Sequence, residues 1–119
     1  LKTYNNFIDG LNILNGTITY NDFDINEDTL FENQRYSFKL DMLQISFGDR
    51  FILDVGWQPD FDQNGHFVVR AIQDYDWLNP LVKIKPRSLK TLKKAIEKAA
   101  KIIDEQMHIR DLPFRNIEY

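Results

Sequence analysis

The sequence predicts an α+β fold: an antiparallel β-meander of about four strands packed on a C-terminal amphipathic helix, with a short N-terminal helix. Three observations carry this prediction. Apolar residues recur at every second position between Tyr36 and Trp57, with a change of phase near Met42-Leu43, and again from Phe67 to Ala71. Turn-forming residues separate those runs. After Ser88 the apolar spacing changes to steps of three and four.

Near the N-terminus, Tyr4, Phe7, Ile8, Leu11 and Leu14 recur at helical steps over Thr3–Leu14, and Asn15-Gly16 supplies a left-handed stop. The same dipeptide also fits a type I′ turn joining strands at Leu11–Leu14 and Thr17–Tyr20, and Gly10 weakens the helix reading. Residues 21–33 are polar and acidic and are expected to form a loop bearing Asp22, Asp24, Glu27, Asp28 and Glu32. A first strand is expected over Tyr36, Phe38, Leu40 and Met42. A β-bulge near Met42-Leu43 then returns Leu43, Ile45 and Phe47 to the same face. Gly48-Asp49 is a turn. The next strand sets Phe51, Leu53, Val55 and Trp57 opposite Ile52, Asp54 and Gly56, and His66–Gln73 pairs with it across the turn-rich Pro59–Gly65. A short extended piece at Leu81–Lys85 precedes the helix. Ser88 caps that helix, and Leu89, Leu92, Ile96, Ala99 and Ile103, widened by Ala95, Ile102 and Met107, form its apolar stripe. Lys90, Lys93, Lys94, Lys98 and Lys101 should face water, partly paired with Glu97 and Glu105. Pro113 ends the helical pattern.

With 119 residues, 43% hydrophobic and 28% charged, residues 1–119 make one domain able to bury its own core. Cysteine is absent, which removes disulfides and thiolate chemistry and fits a reducing compartment. No stretch approaches the ~18 apolar residues of a membrane span, so the expectation is a cytoplasmic protein without a membrane partner. The net charge of −3 conceals a separation: residues 1–80 carry thirteen acids against five bases, and residues 81–119 carry ten bases against five acids. An acidic body repels phosphate and favours a basic partner.

Catalytic and metal signals are weak. Asp60-Phe61-Asp62-Gln63-Asn64-Gly65 begins like a calcium loop, but Ala71 occupies the position of the final bidentate glutamate, so a local turn is the favoured reading. His66 and His108 stand beside no recognisable nucleophile, and the five glycines form no phosphate-cradling pattern. The expectation is a non-enzyme with no catalytic residues, no metal site and no cofactor. The more informative grouping mixes acids and aromatics: Asp54, Trp57, Asp60, Phe61 and Asp62, then Asp74, Tyr75, Asp76 and Trp77. Strand pairing sets these two groups near opposite ends of a hairpin. Trp57, in phase with Leu53 and Val55, is expected in the core.

Across Asp54-Val55-Gly56-Trp57-Gln58-Pro59-Asp60-Phe61-Asp62, Gly65-His66-Phe67 and Asp76-Trp77-Leu78-Asn79-Pro80-Leu81, about half the chain, the sequence resembles immunity proteins of bacterial contact-dependent growth inhibition and related polymorphic toxin systems. The resemblance implies a cytoplasmic antitoxin that binds a cognate toxin C-terminal domain and covers its active site or substrate groove, with a nuclease such as an RNase as the expected target. The charge pattern agrees, because a nuclease surface that attracts phosphate also attracts carboxylates. The expected toxin-binding residues are Asp54, Asp60, Asp62, Asp74 and Asp76 for charge pairing and Phe61, Tyr75 and Trp77 as anchors. Asp22–Asp28 is an alternative docking surface. The competing reading is a single-stranded nucleic-acid-binding module, with sheet aromatics for stacking and helix lysines for phosphates; a small enzyme ranks third.

Overall fold

The computed structural model describes residues 7–110, and of Arg110 only the backbone. Five strands form one antiparallel sheet in chain order: β1 (Thr17–Asn21), β2 (Leu43–Phe47), β3 (Phe51–Gln58), β4 (His66–Gln73) and β5 (Val82–Ile84). One long helix, α1 (Leu89–Arg110), lies against it, and residues 7–9 are helical. The class is α+β, as the periodicities predict, with five strands in place of about four.

Register explains the two faces. Leu43, Val55, Val69 and Ile84 stand in one row across β2–β5, and Ile45, Leu53, Ala71 and Val82 in the next apolar row. The row between them, Gln44, Asp54, Arg70 and Lys83, belongs to the opposite face because side chains alternate along a strand. The helix covers the apolar rows with Leu92, Ile96, Ala99 and Ile103, all fully buried. Burial of each large aliphatic chain contributes about 1.5–3 kcal/mol. Ser88 caps α1 as expected: its Oγ accepts the Thr91 N–H at 3.1 Å, and the Ser88 N–H donates back to Thr91 Oγ1 at 3.2 Å. Glu97 departs from its expected pairing, since its carboxylate accepts the Asn12 N–H at 2.9 Å and ties the N-terminal segment to the helix.

Four expectations are corrected. Among the described residues the N-terminal helix stops at residue 9, because Gly10 interrupts it and Leu14 takes a positive φ of 55°; residues 3–6 lie outside the described residues. The rival hairpin is half right: Thr17–Asn21 is a strand, but it pairs with β2 and not with Leu11–Leu14. Residues 21–33 are more than a polar loop, since Phe23 and Ile25 are buried in the core and Phe7 stacks on Phe23 with ring centroids 4.9 Å apart.

The largest departure is the strand expected over Tyr36–Met42. Arg35–Ser37 is a 3₁₀ turn, and the chain then runs beside β3 with one residue to spare: Met42 N–H donates to Val55 O, and Trp57 N–H to Lys39 O. Three steps on one chain oppose two on the other, which is the expected bulge moved back to Leu40-Asp41. Gly56 permits it, because a Cβ there would land on the Leu40 carbonyl.

Candidate functional site

The alternation that builds the sheet also divides the sequence-predicted site. β3 and β4 are paired from Phe51↔Gln73 to Gln58↔His66. Eight residues at ~3.3 Å each separate the two acid-aromatic groups by roughly 25 Å. Asp60, Phe61 and Asp62 stand beyond one end of the hairpin; Asp74, Tyr75, Asp76 and Trp77 stand beyond the other. The structure therefore holds two candidate surfaces.

Asp54 belongs to neither. It sits mid-strand in the Gln44–Asp54–Arg70 row, only 4% exposed, with Gln44 Nε2 donating to Oδ1 at 3.0 Å and Arg70 Nη1 at 3.6 Å from Oδ2. Burial pushes its carboxyl above the ordinary range, opposed by the Gln44 hydrogen bond and the Arg70 charge. Its expected role as a surface contact is corrected, because these neighbours already occupy it and solvent scarcely reaches it.

At the β3–β4 turn, Phe61 has a φ of 63° and is pinned on both sides. Its N–H donates to Phe38 O and its carbonyl accepts Arg35 Nη1, each at 2.7 Å. Its ring meets Tyr36 edge-on at 5.1 Å. The carbonyl of Asp62 accepts Trp57 Nε1–H at 2.8 Å while its Oδ1 accepts the Asn64 N–H at 2.8 Å. The calcium-like hexapeptide is thus a self-satisfied turn, and no group of three metal-ligating side chains occurs among the described residues. Trp57 is buried, as its parity predicts, with Phe38 and Phe67 packed edge-on against it.

The opposite end is organised differently. Asp74 and Tyr75 carry consecutive positive φ values of 56° and 61°, a conformation that side-chain-bearing residues rarely adopt. Arg50 grips Asp74 through Nε and Nη2, both at 2.6 Å, and the Asp74 N–H donates to Arg50 O at 2.7 Å. The bidentate pair also holds the Arg50 guanidinium above its ordinary value. Asn79 Nδ2 reaches both Asp76 oxygens at 3.2 Å. On this braced turn Tyr75, Trp77 and Leu78 are 66%, 41% and 91% exposed.

Sequence reasoning named Asp74, Tyr75, Asp76 and Trp77 but missed Arg50, Leu78 and Asn79. The observed register explains Arg50: Phe51 pairs with Gln73, which places residues 50 and 74 opposite each other at the end of the expected hairpin. The alternative acidic surface is partly neutralised, since Lys39 Nζ lies 2.7 Å from Asp22 and holds that carboxyl below its usual range. No helix among the described residues is long and apolar enough to cross a membrane. No family model, curated protein or solved structure matches the chain.

Proposed function

We propose that this protein is an immunity protein that acts in the cytoplasm, binding a basic toxin domain through the turn at residues 74–79 and covering that domain's active site or substrate groove. The observation that carries the reading is the braced turn itself. Two residues in left-handed conformations and a bidentate Arg50–Asp74 clamp hold exposed Tyr75, Trp77 and Leu78 in a fixed presentation. Strained backbone persists where surrounding contacts impose it, and such sites cluster where a protein meets its ligand. Tyrosine and tryptophan are the side chains that most often dominate binding energy, and fixing them beforehand lowers the ordering cost of association.

Electrostatics select the partner class. Asp49 and Asp76 flank the turn, where Arg50 offsets the charge of Asp74, within a chain whose first eighty residues are strongly acidic. A phosphate-attracting nuclease groove offers the complementary field, so steering and occlusion come from one surface. No bond is made or broken by the inhibitor. The sheet aromatics Phe51, Trp57 and Phe67 lie in the core, which supports protein docking over base stacking on the sheet.

The reading expects a secreted protein with a C-terminal toxin domain to be encoded immediately upstream, and the test is co-expression with that domain. The expected result is survival with the intact protein and killing with a Tyr75→Ala/Trp77→Ala variant that remains folded. Killing that is undiminished by the intact protein rejects the immunity reading.

A further inference from the structure

The sheet face turned away from α1 carries one polar side chain from each strand in a single row. Tyr20 pairs with Gln44, Gln44 with Asp54, Asp54 with Arg70 and Arg70 with Lys83. Where β1 meets β2, a cleft of about 260 Å³ opens between Tyr20, Gln44 and Asp41, which the bulge at Leu40-Asp41 brings in. The volume lies below the ~300–1,000 Å³ of drug-sized ligands, so the cleft has room for one side chain rather than a cofactor.

The cleft offers acceptors. One Gln44 amide hydrogen goes to buried Asp54 at 3.0 Å, which fixes the amide, and no described residue donates to Gln44 Oε1. The Tyr20 hydroxyl donates to Asp22 at 3.4 Å, and Tyr20 is 42% exposed, so its ring keeps an open side. Lys39 and Arg70 each already face a carboxylate, Asp22 at 2.7 Å and Asp54 at 3.6 Å. Lys83 stands three strand spacings from Gln44, roughly 14 Å away. Asp41 is exposed and makes no ion pair or hydrogen bond with any described residue. Its charge acts on both neighbours: it adds to desolvation and Asp22 in raising the Tyr20 hydroxyl, and to burial in raising the Asp54 carboxyl.

A partnerless carboxylate, an oriented amide oxygen and an open ring together suit a planar cation with several donors. We infer that the cleft between Tyr20, Asp41 and Gln44 takes an arginine side chain of a partner protein. The guanidinium donates to both Asp41 oxygens, offers a further N–H to Gln44 Oε1 and lies against the Tyr20 ring. A lysine ammonium supplies the charge without the plane or the fork. This inference does not draw on the toxin-docking proposal and holds or fails separately, since β2 and β3 lie between the cleft and the β4 strand that leads to the 74–79 turn.

Side-chain amides make the test internal. In ¹H–¹⁵N spectra of the whole chain, N-acetyl-arginine amide is expected to shift the Gln44 side-chain resonances saturably, with a dissociation constant of about 1–10 mM. The Gln34 side chain, committed to the Asn26 and Thr29 carbonyls, should stay in place. The citrulline analogue keeps the shape without the charge, and the lysine analogue keeps the charge without the fork; each is expected to bind at least about threefold more weakly. Asp41→Asn should weaken the arginine compound about fivefold or more. Glu105→Gln, which removes the same charge from the helix on the other side of the sheet, should change it less than about twofold. An unmoved Gln44 side chain, equal binding of either analogue, or equal effects of the two substitutions would each overturn the inference.

Discussion

The two tryptophans stand at opposite ends of the β3–β4 hairpin and have opposite fates. Trp57 is 4% exposed, packs among Phe38 and Phe67 and donates its indole N–H to Asp62 O. Trp77 is 41% exposed, next to Leu78, which is almost wholly exposed. Both stand beside acidic and aromatic residues and look alike in sequence. One closes the core beneath a turn, and the other is displayed by a turn. Exposure alone does not make a docking site, since single apolar residues are common on surfaces. The difference lies in bracing. At the Trp57 end the hydrogen bonds close the core, whereas at the Trp77 end Arg50, Asp74, Asp76 and Asn79 brace a turn whose rings stay exposed.

Replacing each tryptophan by alanine should separate the two roles most sharply. Trp57→Ala is expected to cost about 3–5 kcal/mol of stability, read from denaturant unfolding, because it opens a cavity and strands the Asp62 turn. Trp77→Ala should leave the unfolding midpoint nearly unchanged. Equal destabilisation by the two would erase the contrast. In binding the order reverses: Tyr75→Ala and Trp77→Ala are each expected to lose about 2 kcal/mol or more of toxin affinity by calorimetry, while a Phe61→Ala change at the other end has a much smaller effect.

Charge effects should be smaller and kinetic. Asp76→Lys is expected to slow toxin association about tenfold at low salt, with the difference shrinking as ionic strength rises. An unchanged association rate would remove electrostatic steering from the account.

Asp54 gives the smallest effect and a sign that can be checked. Its folded-state pKa is raised by burial, so the protonated form suits the fold and the ionisation cost appears as pH rises through the folded value. Asp54→Asn, which keeps an acceptor for Gln44, should stabilise slightly at neutral pH, because relief of the buried charge outweighs the 3.6 Å Arg70 contact. The gain should vanish as pH falls toward the ordinary aspartate value of about 4. A gain that persists in acid would assign the effect to something other than ionisation.

Much of the sheet was legible because apolar residues recur at every second position on the helix-covered face: β3 and β4 fall where the pattern places them, as does the Ser88-capped helix. Tyr36–Met42 alternates just as cleanly and is not a strand. Its pattern reflects a 3₁₀ turn followed by a bulge over Gly56, and tertiary pairing overrides local pattern there. β1 was legible only as half of a rival hairpin, because all five of its residues are exposed and no apolar face marks it. The acids of the candidate site could be named from sequence but not sorted. Asp54 and Asp76 differ in burial, and only the register, which sets Asp54 beside Gln44 and Arg70, separates them.

The central claim is that Tyr75, Trp77 and Leu78 form the anchor of an inhibitory interface. Amide hydrogen exchange on the complex with the upstream-encoded toxin domain addresses it directly. The account predicts added protection concentrated at residues 74–79 and around Arg50, with the lysine face of α1 unaffected. Protection confined to Lys90–Lys101, with the 74–79 turn exchanging as in the free protein, would contradict it.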